Sequence, residues 1–155
     1  MGAEDSNVYS CAVLTVSDRG SKGERQDTSG PALCRILEEH GFLLAATATV
    51  PAEVDDIRRA ITGWTDDQQI DLVVTTGGTG LSPRDRTPEA TRPLLDLEIP
   101  GIGEMMRMVN STITINAILS RGLAGTRKQS LIINLPGSKT AALENIGVVI
   151  NALPH

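Results

Sequence analysis

The run DLVVTT at 71–76, followed at once by GGTG at 77–80, constrains the fold more than any other part of the chain. A short apolar, β-branched run that stops abruptly at a turn reads as a strand buried on both faces, the kind found in parallel sheets. Three other stretches read as strands: VYSCAVLTVS at 8–17, LLAATATV at 43–50 and SLIINLP at 130–136. Helical patterns lie between them. Ser29 or Gly30 is a candidate cap, Pro31 suits a first turn, Leu33, Ile36 and Leu37 share a face, and Gly41 suits the stop. Over 52–64, Val54, Ile57, Ile61 and Trp64 repeat at steps of three and four, so Trp64 reads as a core residue. Thr87-Pro88-Glu89 is a helix start, and Pro93 is expected to kink or shorten that helix. In 98–128, PGIG reads as a turn and EMMRMVN as helix, while TINAIL stays open between helix and strand. Ser138 caps a last helix carrying Leu143, Ile146, Val149, Ile150 and Leu153.

This alternation implies an α/β domain with a mostly parallel sheet and helices on both faces. At 155 residues the chain makes one domain, 1–155, able to bury one core. With 2% aromatic residues, that core is aliphatic. The net charge of -5 argues against nucleic acid held by phosphate contacts. No run approaches the ~20 apolar residues of a membrane span. The opening MGAEDSNVYS lacks the pattern of a signal peptide, so the cytoplasm is the default location. Cys11 and Cys34 fit neither a disulfide framework nor a metal spacing, and read as small apolar residues.

Ligands of such folds bind at the C-terminal ends of the strands. Here those ends are SDRG, TTGGTG and NLPGS, which are expected to meet in one crevice. Gly77, Gly78 and Gly80 let backbone approach a ligand, and the hydroxyls of Thr76 and Thr79 join their N–H groups as donors for an anion. The pattern is neither a P-loop nor GxGxxG. Asp85 beside a phosphate site makes sense if Mg²⁺ joins the two charges. Arg84 is expected either to hold a second phosphate or to pair with Asp85. Ser17, Asp18, Asp27 and Ser29 form a second polar cluster, and Asn134 to Ser138 a third. Ser120 and Arg121 add a hydroxyl and a guanidinium; neither His40 nor His155 is placed to make Ser120 a nucleophile. Tyr9, Phe42 and Trp64 all lie outside these loops, so a ligand must be gripped by backbone, hydroxyls and aliphatic walls.

Three segments, VLTVSDRGSKGERQDTSG, TTGGTGLSPRDRTPEAT and LSRGLAGTRKQSLIINLPGS, resemble the molybdenum-cofactor biosynthesis family, which includes the bacterial molybdopterin adenylyltransferases and the N-terminal domain of gephyrin. The resemblance runs from about residue 11 to the end, and the glycine loop with its Arg-Asp-x-Thr-Pro is its most specific part. It implies a three-layer α/β/α molybdopterin-binding fold, assembled as a homotrimer. It implies Mg²⁺-dependent adenylyl transfer from ATP to molybdopterin. It also implies roles: nucleotide binding for Thr76, Gly77, Gly78, Thr79 and Gly80, metal binding and catalysis for Asp85, and catalysis with pterin binding for Ser120. Ser17, Asp18, Asp27, Asn134, Pro136, Gly137 and Ser138 match the remaining pterin-side positions. One position departs from the pattern. The family has Pro-Asp-Glu where this chain has Pro51-Ala52-Glu53, which leaves a non-catalytic molybdopterin-binding or carrier protein as the alternative.

Overall fold

The structure is a computed structural model that describes residues 7–155. The part of the signal-peptide reading that falls on residues 1–6 lies outside the described residues. Six strands form one sheet: β1 (Ser10–Val16), β2 (Leu43–Val50), β3 (Leu72–Thr76), β4 (Leu97–Glu98), β5 (Ala124–Arg127) and β6 (Ser130–Leu135). Their order is β2-β1-β3-β6-β5-β4. The first four are parallel, while β5 and β4 extend the sheet antiparallel. The helices are α1 (Asp18–Ser21), α2 (Ser29–Glu39), α3 (Val54–Thr62), α4 (Thr87–Thr91), α5 (Pro100–Asn110) and α6 (Lys139–Val149).

The side-chain alternation of a strand sorts the core into two layers. Cys11, Val13, Leu72, Val74, Ile133 and Leu135 face α2, α5 and α6. Ala12, Leu14, Val16, Val73 and Ile132 face α3 and α4, together with Ile57, Ile61 and Trp64. The expected three-layer sandwich and aliphatic core are both present, and Trp64 is a core residue. Cys11 is buried against its layer, and burial pushes its thiol up to about 12. No helix among the described residues is long and apolar enough to cross a membrane.

Several local expectations change. The polar stretch after β1 contains the short helix α1, because the Ser17 hydroxyl accepts from Gly20 N–H at 2.9 Å and closes a turn. PGIG is not a turn: Pro100 opens α5, where its fixed φ suits the first helical position. TINAIL resolves into a 3₁₀ segment over Ile115–Leu119. The α3 helix continues into a π-helical turn over Gly63–Asp67. Pro93 does shorten its helix, which ends at Thr91 and passes into 3₁₀ over Arg92–Leu94.

Candidate functional site

Chain order reverses on either side of β1, since β2 lies to one side and β3 to the other. A crevice opens outside the carboxyl ends of such a strand pair. Here it is a cavity of about 460 Å³ whose walls include Ser17 beyond β1, Thr76, Gly77 and Gly78 at the end of β3, and Gly137 and Ser138 beyond β6. A second cavity of about 420 Å³ adjoins it, with Thr79, Gly80, Asp85, Ser120 and Pro136 in its wall. The two lobes share Gly78 and Gly137. Neither has an aromatic side chain in its wall.

The ridge between the lobes is tightly built. Gly77 N–H donates to Leu135 O at 3.0 Å, and Thr76 Oγ1 to Pro136 O at 2.6 Å. Ser29 Oγ donates to Gly137 O at 2.8 Å, so this hydroxyl serves the ridge and does not cap α2. The cap is Asp27: its Oδ1 accepts from Gly30 N–H at 2.9 Å, and its Oδ2 accepts from Thr15 Oγ1 at 2.6 Å. Gly77 and Gly78 have φ of +105° and +71°, where a side chain is strained. A Cβ on Gly77 would also overlap Val16 O, and one on Gly78 would overlap Thr87 Oγ1. Both glycines are therefore required by their protein neighbours, whatever the loop binds.

The carbonyl oxygens of this loop are all engaged. Gly77 O accepts from Thr87 Oγ1 at 2.8 Å and Gly78 O from Thr87 N–H at 3.0 Å. Thr79 O accepts from Arg121 N–H and Gly80 O from Arg121 Nε, both at 2.8 Å. Among the described residues, no acceptor meets the N–H groups of Gly78, Thr79, Gly80 or Leu81. The loop thus presents unpaired donors beside both lobes, as an anion site needs.

The residues singled out in the sequence are divided by the structure. Ser17, Asp27 and Ser138 lie in the first lobe; Asp85, Ser120 and Pro136 lie in the second. Asp18 lines neither. Arg84 grips it with Nε on Oδ2 at 3.0 Å and Nη2 on Oδ1 at 2.8 Å, and Ala52 N–H adds a bond of 2.9 Å to Oδ1. These bonds, led by those from Arg84, hold the Asp18 carboxyl down at about 2. Arg84 also reaches Glu53 Oε1 at 2.8 Å, so its partners are Asp18 and Glu53, and not Asp85. Asp85 instead accepts from Ser82 N–H through Oδ2 at 3.0 Å. Asn134 is fully buried. It donates to Thr75 Oγ1 at 3.0 Å and Thr91 Oγ1 at 3.1 Å, and its side-chain oxygen accepts from Leu123 N–H. It therefore joins strands to α4 and touches neither lobe. The strand alternation that puts Ile132 on the α3/α4 face already puts Asn134 there.

Two cations escaped the sequence reading. Arg25 and Lys139 both line the first lobe, Lys139 as the first residue of α6. Their signal was position: Arg25 lies in the polar loop before α2 and Lys139 opens α6 after the turn beyond β6, and in a chain of net charge -5 they place positive charge over one cavity.

Among the described residues, no group of three or more His, Cys, Asp or Glu side chains stands close enough to hold a metal by itself. Mg²⁺ commonly takes one or two carboxylates, keeps several waters, and completes its shell with substrate phosphates. Asp85, with one carboxylate oxygen on Ser82, lines the second lobe.

A switch-point crevice that carries two cations and adjoins a row of unpaired amides has the chemistry that suits the class of small phosphorylated ligands. Comparison with known proteins narrows that class. The family model described as "Probable molybdopterin binding domain" matches residues 12–155. The molybdopterin adenylyltransferase of Helicobacter pylori is 45% identical over 145 residues, covering 92% of this chain and 82% of that protein. Gephyrin of Dictyostelium discoideum is 44% identical over 153 residues, but the match spans 92% of this chain and 21% of that protein. The crystal structure of the molybdopterin biosynthesis enzyme MoaB from Thermus thermophilus superimposes with a TM-score of 0.91 at 49% identity, covering 96% of this chain and 93% of that one. The chain belongs to the molybdopterin-binding domain family of molybdenum-cofactor biosynthesis.

Proposed function

We propose that this chain is a molybdopterin adenylyltransferase. A terminal phosphate oxygen of molybdopterin attacks the α-phosphorus of ATP, the bond from that phosphorus to the bridging oxygen breaks, and pyrophosphate leaves with the bond's electron pair. The product is adenylylated molybdopterin. The observation that carries this reading is the row of unpaired amides from Gly78 to Leu81 at the junction of two lobes, one for each substrate.

Phosphoryl chemistry of this kind asks a protein for placement and charge stabilisation. The amides are neutral donors whose partial positive charge does not titrate and which need no proton transfer. Arg25 and Lys139 favour a triphosphate that enters the first lobe and reaches over the shared Gly78 to the amides beyond it, so that Ser17, Asp27 and Ser138, which the resemblance gave to the pterin side, fall on the nucleotide side. Ser120 offers a hydroxyl to the pterin phosphate in the second, across the ridge from the nucleotide. Asp85 would hold Mg²⁺, which when bound offsets the negative charge of the two phosphates.

Assembly as a homotrimer belongs to the same reading. Met105, Met108 and Val109 on α5, with Ile115, Ile118 and Leu119 beyond it, expose an apolar face of a kind monomers seldom carry. Leu119 reaches the wall of the second lobe, so that face borders the site.

The test is to incubate the purified protein with molybdopterin and MgATP and to measure pyrophosphate. Stoichiometric or catalytic release supports transfer. One observation favours a second reading, a carrier that binds the pterin without transferring adenylate: Ala52 stands where the family has an acid. Clear pterin binding with no pyrophosphate would select the carrier.

A further inference from the structure

Four consecutive carbonyl oxygens, from Gly77 to Gly80, are each held by one of two residues. Thr87 takes the first two with its hydroxyl and its own N–H. Arg121 takes the next two with its N–H and Nε. A peptide unit is planar and trans, so the N–H of the following residue points opposite to the carbonyl. Fixing the four carbonyls therefore fixes the N–H groups of Gly78, Thr79, Gly80 and Leu81, each turned away from the group that holds the unit.

Arg121 is itself fixed. Its Nη2 donates to Asp85 O at 2.8 Å, and its Nη1 to Glu89 Oε2 at 2.6 Å. One guanidinium thus ties the glycine loop, the backbone of Asp85 and the first turn of α4 together. A lysine cannot copy this, because an ammonium lacks the planar fork that meets three acceptors at once. Thr87 is fully buried, with Thr91 Oγ1 donating to its carbonyl at 2.8 Å.

We infer that Thr87 and Arg121 are positioning residues for the phosphate site, setting the direction of four amide donors without touching the ligand. This rests on the proposed use of the loop for phosphate. Donors aimed before the ligand arrives bind it without the loss of freedom that a mobile loop would suffer.

The experiment compares wild-type protein with Arg121→Lys, Thr87→Val and Glu89→Gln. Its readouts are calorimetric binding of inorganic triphosphate, hydrogen exchange in the free protein of the amides at positions 87 and 121, which hold the carbonyls of Gly78 and Thr79, and KM for MgATP against kcat. Arg121→Lys and Thr87→Val are each expected to weaken triphosphate binding and raise KM by about tenfold, the scale of one lost hydrogen bond on a charged ligand, with kcat changed by less than about threefold. Exchange of the amides at positions 87 and 121 is expected to quicken while that of β6 is unchanged. Glu89→Gln keeps every bond to the loop and is expected to stay within about twofold of wild type. Triphosphate affinity and amide exchange that stay at the wild-type level in both loop variants would overturn the inference, even if their melting temperatures fall. Should Arg121→Lys fail to fold, Thr87→Val, nearly the same shape, decides alone. A wild-type protein that binds no triphosphate overturns the site itself. One that binds triphosphate but releases no pyrophosphate sinks the adenylyltransferase reading and leaves the positioning roles standing.

Discussion

Arg84 straddles Asp18, its Nε 3.0 Å from one carboxylate oxygen and its Nη2 2.8 Å from the other. The pair joins the loop after the glycines to the turn after β1, and Glu53 extends it to the start of α3. Folding lowers the Asp18 carboxyl from an ordinary 3.8 to about 2, through Arg84 first and the Ala52 amide second. A carboxyl lowered by folding stabilises the fold above its unfolded value, and that contribution fades as pH falls through the folded one. The melting temperature of Asp18→Asn is expected to lie below wild type at about pH 6, and the gap to close between about pH 4 and pH 2. A gap of constant size across that range would contradict the assignment. Asp66, held at about 2 chiefly by Arg127, contributes over the same window.

Gly78→Ala forces a side chain onto a backbone at φ +71° and against Thr87. The expected loss is about 1–3 kcal/mol of stability, read by urea titration. Triphosphate binding is expected to fall with it, because relief of the clash must move the loop.

Asn134 is expected to matter for folding and not for ligand contact. Asn134→Ala leaves Thr75, Thr91 and Leu123 short of a partner in the core. The expected loss is about 1–3 kcal/mol, again by urea titration. Ligand affinity measured where the variant is still fully folded should match wild type; a specific loss of pterin binding there would return Asn134 to the pterin side.

Ala52→Asp restores the family's acid beside Asp18 and Glu53. The Ala52 side chain is buried in the layer that faces α3 and α4, so a carboxylate there is desolvated and the variant is expected to melt below wild type without divalent cations. Millimolar Mg²⁺ should then raise its melting temperature more than that of wild type, and the rate of pyrophosphate release should rise. Equal Mg²⁺ shifts in the two proteins would show that position 52 plays no part in holding the cation.

Ile118→Asp puts a charge on the exposed apolar face beyond α5. Sedimentation is expected to give a trimer for wild type and a smaller species for the variant. A wild-type monomer at micromolar concentration would refute the assembly.

Much of this architecture is legible in the chain because its strands differ so plainly from its loops. The residues of β3 and β6 are nearly all apolar or β-branched, and a proline or a capping hydroxyl marks the starts of α4 and α6. The elements that escaped reading depend on pairing at a distance. The β4 strand has two residues and the β5 strand is AGTR, so neither has a period; they exist because β6 offers an edge. The site divides in the same way. That GGTG faces a phosphate is written in its glycines and threonines, but the partners that orient it, Thr87 and Arg121, are ten and forty-one residues from the carbonyls they hold at Gly77 and Gly80. Asp27 and Ser29 both suit a helix start, and only the position of Gly137 decides which of them turns to the ridge.

The place of β6 in the sheet has a consequence for how the molecule is made. It lies between β3 and β5, yet it is the last of the six described strands in chain order. While a ribosome is still adding residues beyond β5, the finished strands β2, β1 and β3 end in an open edge at β3, with hydrogen-bonding groups that have no neighbour. Residues 130–135 close that edge, and only then do Pro136, Gly137 and Ser138 arrive to form the wall opposite the glycine loop. The crevice therefore gains its last wall only once β6 and the turn after it have been made, and a nascent chain that stops short of them has no full crevice.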